Sequence, residues 1–162
     1  MNSILNNKLV KTISEVADRL HQDTYIIGGF VRDYHLERSS KDMDIVTLGS
    51  GVLLAEEIAK ELRIKNIQIF KNFGTAMIRY RGFDVEFVGA RKESYREDSR
   101  NPSVENGTLS DDQNRRDFTI NALAISLNKN SFGDFLDPFE GLNDLKNMII
   151  RTPLDPDITF SD

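Results

Sequence analysis

Residues 25–44 read YIIGGFVRDYHLERSSKDMD, and the reading of this stretch decides the fold. Tyr25-Ile26-Ile27 is a short apolar run suited to a buried strand, and it leads directly into Gly28-Gly29. Phe30-Val31-Arg32-Asp33-Tyr34-His35-Leu36 reads as the first turns of a helix, and a second strand is expected over 42–48. Upstream, Leu9, Ile13, Val16, Ala17 and Leu20 recur at helical spacing and predict an amphipathic first helix. Downstream, Gly49-Ser50-Gly51 releases the second strand into a helix over 52–62, whose apolar face is Leu54, Ala55, Ile58, Ala59 and Leu62. Three β-type runs follow at 67–70, 75–80 and 83–88, the last two joined by Arg81-Gly82, a two-residue hairpin signal. Further on, the pattern predicts a helix over 118–125 feeding an apolar run, a short helix over 143–147 and a last strand at Met148-Ile149-Ile150. The sum is an α/β (α+β) chain built on a mixed sheet flanked by helices.

At 162 residues and 39% apolar content the chain is expected to form one domain with its own core, since no linker or repeat divides it. The absence of cysteine excludes disulfide scaffolds, cysteine-based zinc sites and thiol catalysis, and fits a reducing compartment. No stretch reaches the ~18 apolar residues of a membrane span, and residues 1–7 lack a basic leader or apolar signal core, so a cytoplasmic protein without membrane contact is expected. With 21 Lys and Arg against 26 Asp and Glu the net charge is −5, which argues against bulk attraction to nucleic acid. Any polyanion is then met locally, by placed arginines or by metal. Residues 94–114, SYREDSRNPSVENGTLSDDQN, are polar and too long for a simple connection, so a mobile functional loop is expected there.

Four groups of residues carry candidate chemistry. The Gly28-Gly29 turn is either a tight turn that needs glycine or a phosphate-binding bend, with Arg32 about one turn into the helix as a guanidinium donor. It matches neither the P-loop nor the G-x-G-x-x-G pattern. Asp42 and Asp44 stand at i and i+2 of a strand and share a face, where two carboxylates are either solvated or bridged by a cation. Oxygen ligands of this kind suit Mg²⁺, and two metals ~3.5–4 Å apart serve in-line phosphoryl displacement. A calcium loop is excluded because Val46 occupies its fifth position. Asp84 and Glu86 repeat the arrangement on a later strand, with Glu86 better centred as a third carboxylate and Asp84 either solvated or paired with Arg79 or Arg81. Finally, in Arg115-Arg116-Asp117-Phe118-Thr119-Ile120-Asn121-Ala122, Asp117 is either a helix N-cap or a ribose acceptor beside two phosphate-clamping arginines. His21 and His35 lack metal-ligand spacing.

Taken together, Ile26-Ile27-Gly28-Gly29-Phe30-Val31-Arg32-Asp33, Asp42-x-Asp44, the Arg115–Ala122 segment and Asp137-Pro138-Phe139-Glu140-Gly141 closely resemble the class II tRNA nucleotidyltransferases (CCA-adding enzymes) and bacterial poly(A) polymerases. The resemblance covers roughly residues 25–162. It implies a head domain of the DNA polymerase β-like nucleotidyltransferase fold that adds CMP and AMP from CTP and ATP to the tRNA 3′ end, releasing pyrophosphate. It further implies two Mg²⁺ ions held by Asp42 and Asp44, with Glu86 as the third catalytic carboxylate. Gly28, Gly29 and Arg32 are implied at the nucleotide's triphosphate, Arg116, Asp117 and Asn121 at its phosphate and ribose, and Asp33 among the nucleotide-binding residues. Residues 94–114 fall where the family keeps a flexible loop implicated in passing from C to A addition.

The family continues into a neck with a Glu-Asp-x-x-Arg base-reading template, then a body and tail that grip tRNA. None of these is present, so residues 1–162 are expected to be the catalytic head alone, a fragment or truncated form that is poorly active and prone to self-association through its apolar C-terminal end. Within the same class, poly(A) synthesis and partial CC- or A-addition remain open. A non-catalytic nucleotide- or RNA-binding module is opposed by the intact Asp42 and Asp44 pair. A glycosyltransferase reading of Asp-x-Asp leaves the glycine and double-arginine segments without a role.

Overall fold

The structure, a computed structural model, describes residues 2–94 and 103–160. The chain opens with α1 (Asn2–Leu5) and α2 (Lys8–Arg19), then runs through β1 (Thr24–Ile27), α3 (Gly29–His35), β2 (Asp42–Thr47) and α4 (Gly51–Glu61). Strands β3 (Ile67–Phe70), β4 (Thr75–Tyr80) and β5 (Phe83–Gly89) follow, and β6 (Arg91–Ser94) pairs with β7 (Ser103–Asn106) in a separate ribbon. Beyond lie α5 (Leu109–Asn114), a 3-10 turn at Thr119–Asn121, β8 (Ala124–Ser126), a 3-10 turn at Lys129–Ser131, β9 (Phe135–Leu136), α6 (Gly141–Lys146) and α7 (Pro156–Thr159). No helix among the described residues is long and apolar enough to cross a membrane.

Among the described residues the main sheet has seven strands in the order β3-β4-β5-β2-β1-β8-β9, with β2 and β5 its one parallel pair. Alternation along β2 and β5 gives the sheet two unlike faces. Met43, Ile45, Val85 and Phe87 enter the main core with Ile13 and Val16 of α2 and Leu54 and Ile58 of α4. Asp42, Asp44 and Val46, with Asp84, Glu86 and Val88, occupy the other face, where a smaller cluster gathers Ile27, Val46, Leu109 and Ala124. Helices α2 and α4 therefore cover one face, while α5 lies along the acidic one and walls a cleft there. The hairpin between β4 and β5 turns at Arg81 and Gly82 with φ of 48° and 87°, the paired positive values that match strand twist.

Three expectations are corrected. The segment 118–125 is not a helix: it makes one 3-10 turn and passes into β8. The Ala122 N–H closes the 3-10 turn on Thr119 O, and Ala124, Ile125 and Ser126 then pair with Ile27, Ile26 and Tyr25 of β1 instead of with a preceding helical turn. The run Met148-Ile149-Ile150 is not a strand. Met148 takes φ 57°, its N–H donates to Leu145 O and the Ile149 N–H donates to Asp144 O, which closes the end of α6 with a Schellman motif. Met148 is left 92% exposed and Ile150 64%. Within 94–114, the expected loop contains β7 and α5, and Thr108 and Asp111 form a reciprocal capping box at the start of α5. Residues 95–102 of that expected loop lie outside the described residues.

Candidate active site

Parallel pairing of β2 with β5 sets Asp44 opposite Glu86 and Asp42 opposite Asp84. Asp84 is withdrawn by a two-pronged ion pair with Arg79 on β4, which holds its carboxyl below the usual range. Asp42 and Glu86 are exposed, whereas Asp44 is half-buried at the floor of a cleft of about 340 Å³ lined also by Val46, Glu86, Val88, Asp112, Arg115, Arg116 and Asp117. Burial pushes the Asp44 carboxyl up; Arg116 opposes that shift, while Asp112 and Asp42 add to it. A second hollow of about 370 Å³, lined by Phe70, Phe73, Thr75, Glu86, Val88, Arg91 and Arg115, shares three residues with the first.

Gly28 links the turn to this cleft. It sits at φ 82°, ψ −143°, a combination only glycine adopts readily. A Cβ there would lie 3.0 Å from Arg116 Nη1 and 3.3 Å from Asp44 Oδ2, so three motifs distant in sequence converge on one point. Gly29 has no such demand, since its Cβ would meet only the Arg32 side chain at ordinary contact distance.

The remaining candidates form a chain of polar contacts beside the cleft. Arg32 donates from Nε and Nη2 to Asp33 Oδ1 at 2.9 and 2.8 Å, and from Nη1 to Asn121 Oδ1 at 2.7 Å. Asn121 Nδ2 in turn donates to Asp117 Oδ1 at 3.0 Å, and the same oxygen accepts the Phe118 N–H. Asp117 is thus not the N-cap of the turn that follows, a place held by Phe118. Asp33, Arg32 and Asn121 do not line the cleft; their network reaches it through Asp117.

Two buried carboxylates escaped the sequence reading. Asp112, fully buried, accepts Arg115 Nε and Nη2 on Oδ1 and Arg116 Nε and Nη2 on Oδ2, over 2.6–3.1 Å. Its signal was the Thr108-x-x-Asp111 capping box, which marks a helix with Asp112 three and four residues before the arginines. Asp144, also fully buried, accepts the Thr119 hydroxyl at 2.7 Å and pairs with Arg151 at 3.1 Å, bracing the turn that carries Asn121. Asp137 accepts the N–H groups of Gly141 and Leu142, and a Cβ on Gly141 would fall 2.3 Å from the Thr119 carbonyl, so the 137–141 segment braces the same turn.

The described residues contain no group of three or more side chains already gathered as a metal cage. What they offer is Asp44 beside Glu86 in register, with Asp42 exposed one pleat away and Asp44 resisting ionisation. This donor set fits Mg²⁺, which takes one or two carboxylates and completes its shell with water and substrate phosphate oxygens.

Comparison with known proteins agrees with this geometry. Residues 24–151 match the family described as Poly A polymerase head domain. The A-adding tRNA nucleotidyltransferase of Aquifex aeolicus (strain VF5) is 43% identical over 127 residues, 78% of this chain and 15% of that protein. The crystal structure of a tRNA nucleotidyltransferase complexed with a primer tRNA and an incoming ATP analog has TM-score 0.76 at 37% identity, over 88% of this chain and 39% of that one. A CCA-adding enzyme in apo form II reaches TM-score 0.83 at 34% identity, over 98% of this chain and 37% of that one. The chain spans less than two fifths of the length of each of these three relatives.

Proposed function

The chain belongs to the poly(A) polymerase head-domain family of nucleotidyltransferases, and from that we propose that it carries the centre for transferring a nucleotide from CTP or ATP onto the 3′ end of tRNA. The observation that carries this reading is that Arg116 Nη1 and Asp44 Oδ2 both come within 3.3 Å of the point where a Gly28 Cβ would stand, with Glu86 beside Asp44 in register. An acidic pair with an arginine fork across a glycine bend suits a metal-bound triphosphate better than any neutral ligand.

In this reading the terminal 3′-hydroxyl of the RNA attacks the α-phosphorus, the new P–O bond forms as the bond to pyrophosphate breaks, and the hydroxyl proton is lost. Asp42 and Asp44, with Glu86 as third carboxylate, would hold Mg²⁺, which when bound would neutralise phosphate charge and lower the pKa of that hydroxyl. Arg116 and Arg115 turn their free Nη1 groups to phosphate oxygens. Asp117, fixed through Asn121 and Arg32, accepts from a ribose hydroxyl. The A-adding activity named for the Aquifex relative favours addition of the terminal A alone as a second reading.

The test is calorimetry of ATP and CTP binding to the protein with Mg²⁺ and with EDTA. Binding in Mg²⁺ that weakens strongly in EDTA supports the reading. A protein that binds neither nucleotide under either condition refutes it.

A further inference from the structure

Asp112 is a buried carboxylate with two cations and no place yet in the chemistry. Its two oxygens are divided evenly, Oδ1 to Arg115 and Oδ2 to Arg116, and each arginine commits the same two nitrogens, Nε and Nη2. That leaves Nη1 of each side chain without a bond to Asp112. For Arg116 this nitrogen lies 3.0 Å from the point where a Gly28 Cβ would stand, a point that is itself 3.3 Å from Asp44 Oδ2. Arg115, half exposed, lines both hollows. One negative charge against two positive ones leaves a net cation facing the cleft, in a protein whose net charge is −5.

The helix that holds Asp112 is itself fixed at both ends. Its start is closed by the capping box of Thr108 and Asp111, and Gln113, next to Asp112, is buried and donates to Ala122 O at 2.7 Å. A desolvated carboxylate is costly to leave half-paired, so both guanidiniums are held against it before any ligand arrives. The planar fork of arginine makes this two-pronged docking directional, which an ammonium cannot reproduce.

We propose that Asp112 is the positioning residue of the nucleotide site, docking Arg115 and Arg116 as a pre-aimed pair for a triphosphate. The assignment rests on the function proposed above. Asp112 touches no substrate and acts through the two arginines.

The experiment uses Asp112→Asn, of the same shape but with one acceptor oxygen and an NH₂ that repels a guanidinium. In the wild type the Arg115 and Arg116 Nε–H protons give NMR signals protected from exchange; in Asp112→Asn at least one loses protection. Magnesium–ATP affinity falls roughly ten- to hundredfold, the worth of one charge-assisted hydrogen bond. Asp112→Asn adds little further loss in an Arg115→Ala/Arg116→Ala background, because Asp112 acts only through those two side chains. Arg116→Lys, which keeps the charge and loses the fork, weakens binding to a similar degree, and it serves should Asp112→Asn not fold. Wild-type affinity in a folded Asp112→Asn or in Arg116→Lys overturns the inference, as does a full further loss when Asp112→Asn is added to Arg115→Ala/Arg116→Ala. A wild type with protected arginine signals that binds no triphosphate overturns the function reading instead, and with it the purpose given to Asp112.

Discussion

Gly28→Ala places one methyl group at the point where the site converges. The backbone at φ 82°, ψ −143° lies where a residue with a Cβ is strained by about 1–3 kcal/mol. For a domain of this size each kcal/mol shifts the melting temperature by about 2–4 °C, so a fall of about 2–12 °C is expected. The new Cβ also stands 3.0 Å from Arg116 Nη1 and 3.3 Å from Asp44 Oδ2, so one of these groups must yield by a few tenths of an ångström. Asp44 is on a central strand and Arg116 at the end of a side chain, so the guanidinium moves. Loss of one aimed charge-assisted bond is worth about 1.5–3 kcal/mol, or roughly ten- to hundredfold in magnesium–ATP affinity. Gly82→Ala separates the two effects, because Gly82 also has positive φ, 87°, but a Cβ there meets nothing within 4 Å. Thermal melts and calorimetry on both variants decide the matter. Both lose stability, and only Gly28→Ala loses nucleotide affinity; a Gly28→Ala protein that binds like the wild type, or equal losses of binding in both, refutes the reasoning.

Asp44→Asn addresses the charge at the same point. Burial raises the Asp44 pKa, so the folded state holds its proton more tightly than the unfolded chain and loses relative stability as pH rises through the raised value. The Asn variant is therefore more stable than wild type at neutral pH in EDTA, the gain shrinks on acidification into the carboxylate range, and denaturant melts across pH show it. Adding Mg²⁺ reverses the order, since a cation that binds only the folded wild type raises its stability. Arg63→Gly tests a helix end far from the cleft: Arg63 holds φ 56° after α4, a strained conformation worth about 1–2 kcal/mol, and its replacement raises the melting temperature while nucleotide binding is unchanged. The described residues should bind CTP, ATP, UTP and GTP with similar affinity, because the cleft is walled by carboxylates, arginines and two valines suited to phosphates, ribose and metal rather than base edges. Competition binding with the four nucleotides measures this directly.

The period-two pattern of strands made the acidic face legible: Asp42 with Asp44, and Asp84 with Glu86, share a side because alternate residues must. Sequence could also offer Arg79 as the partner of Asp84, which the register of β4 on β5 confirms. Asp112 was hidden because its helix is short and polar, and only the capping box distinguishes it from a loop. Asp144 was hidden for another reason, since its partners Thr119 and Arg151 come from opposite sides in sequence and meet only in the folded chain. The apolar residues of 118–125 and 148–150 misled for a third. Burial in the first is shared between a turn and a strand, and the second closes a helix and stays exposed, and neither outcome is written in hydropathy.

Nucleotide transfer itself is read most directly by supplying labelled CTP or ATP with Mg²⁺ to tRNA ending before, within and after CCA, using the wild-type residues and Asp44→Asn side by side in a chain of the relatives' full length. The account predicts stepwise extension of the incomplete ends by the wild type, no extension of the completed one, and loss of extension in a folded Asp44→Asn. Extension by Asp44→Asn at the wild-type rate would contradict it.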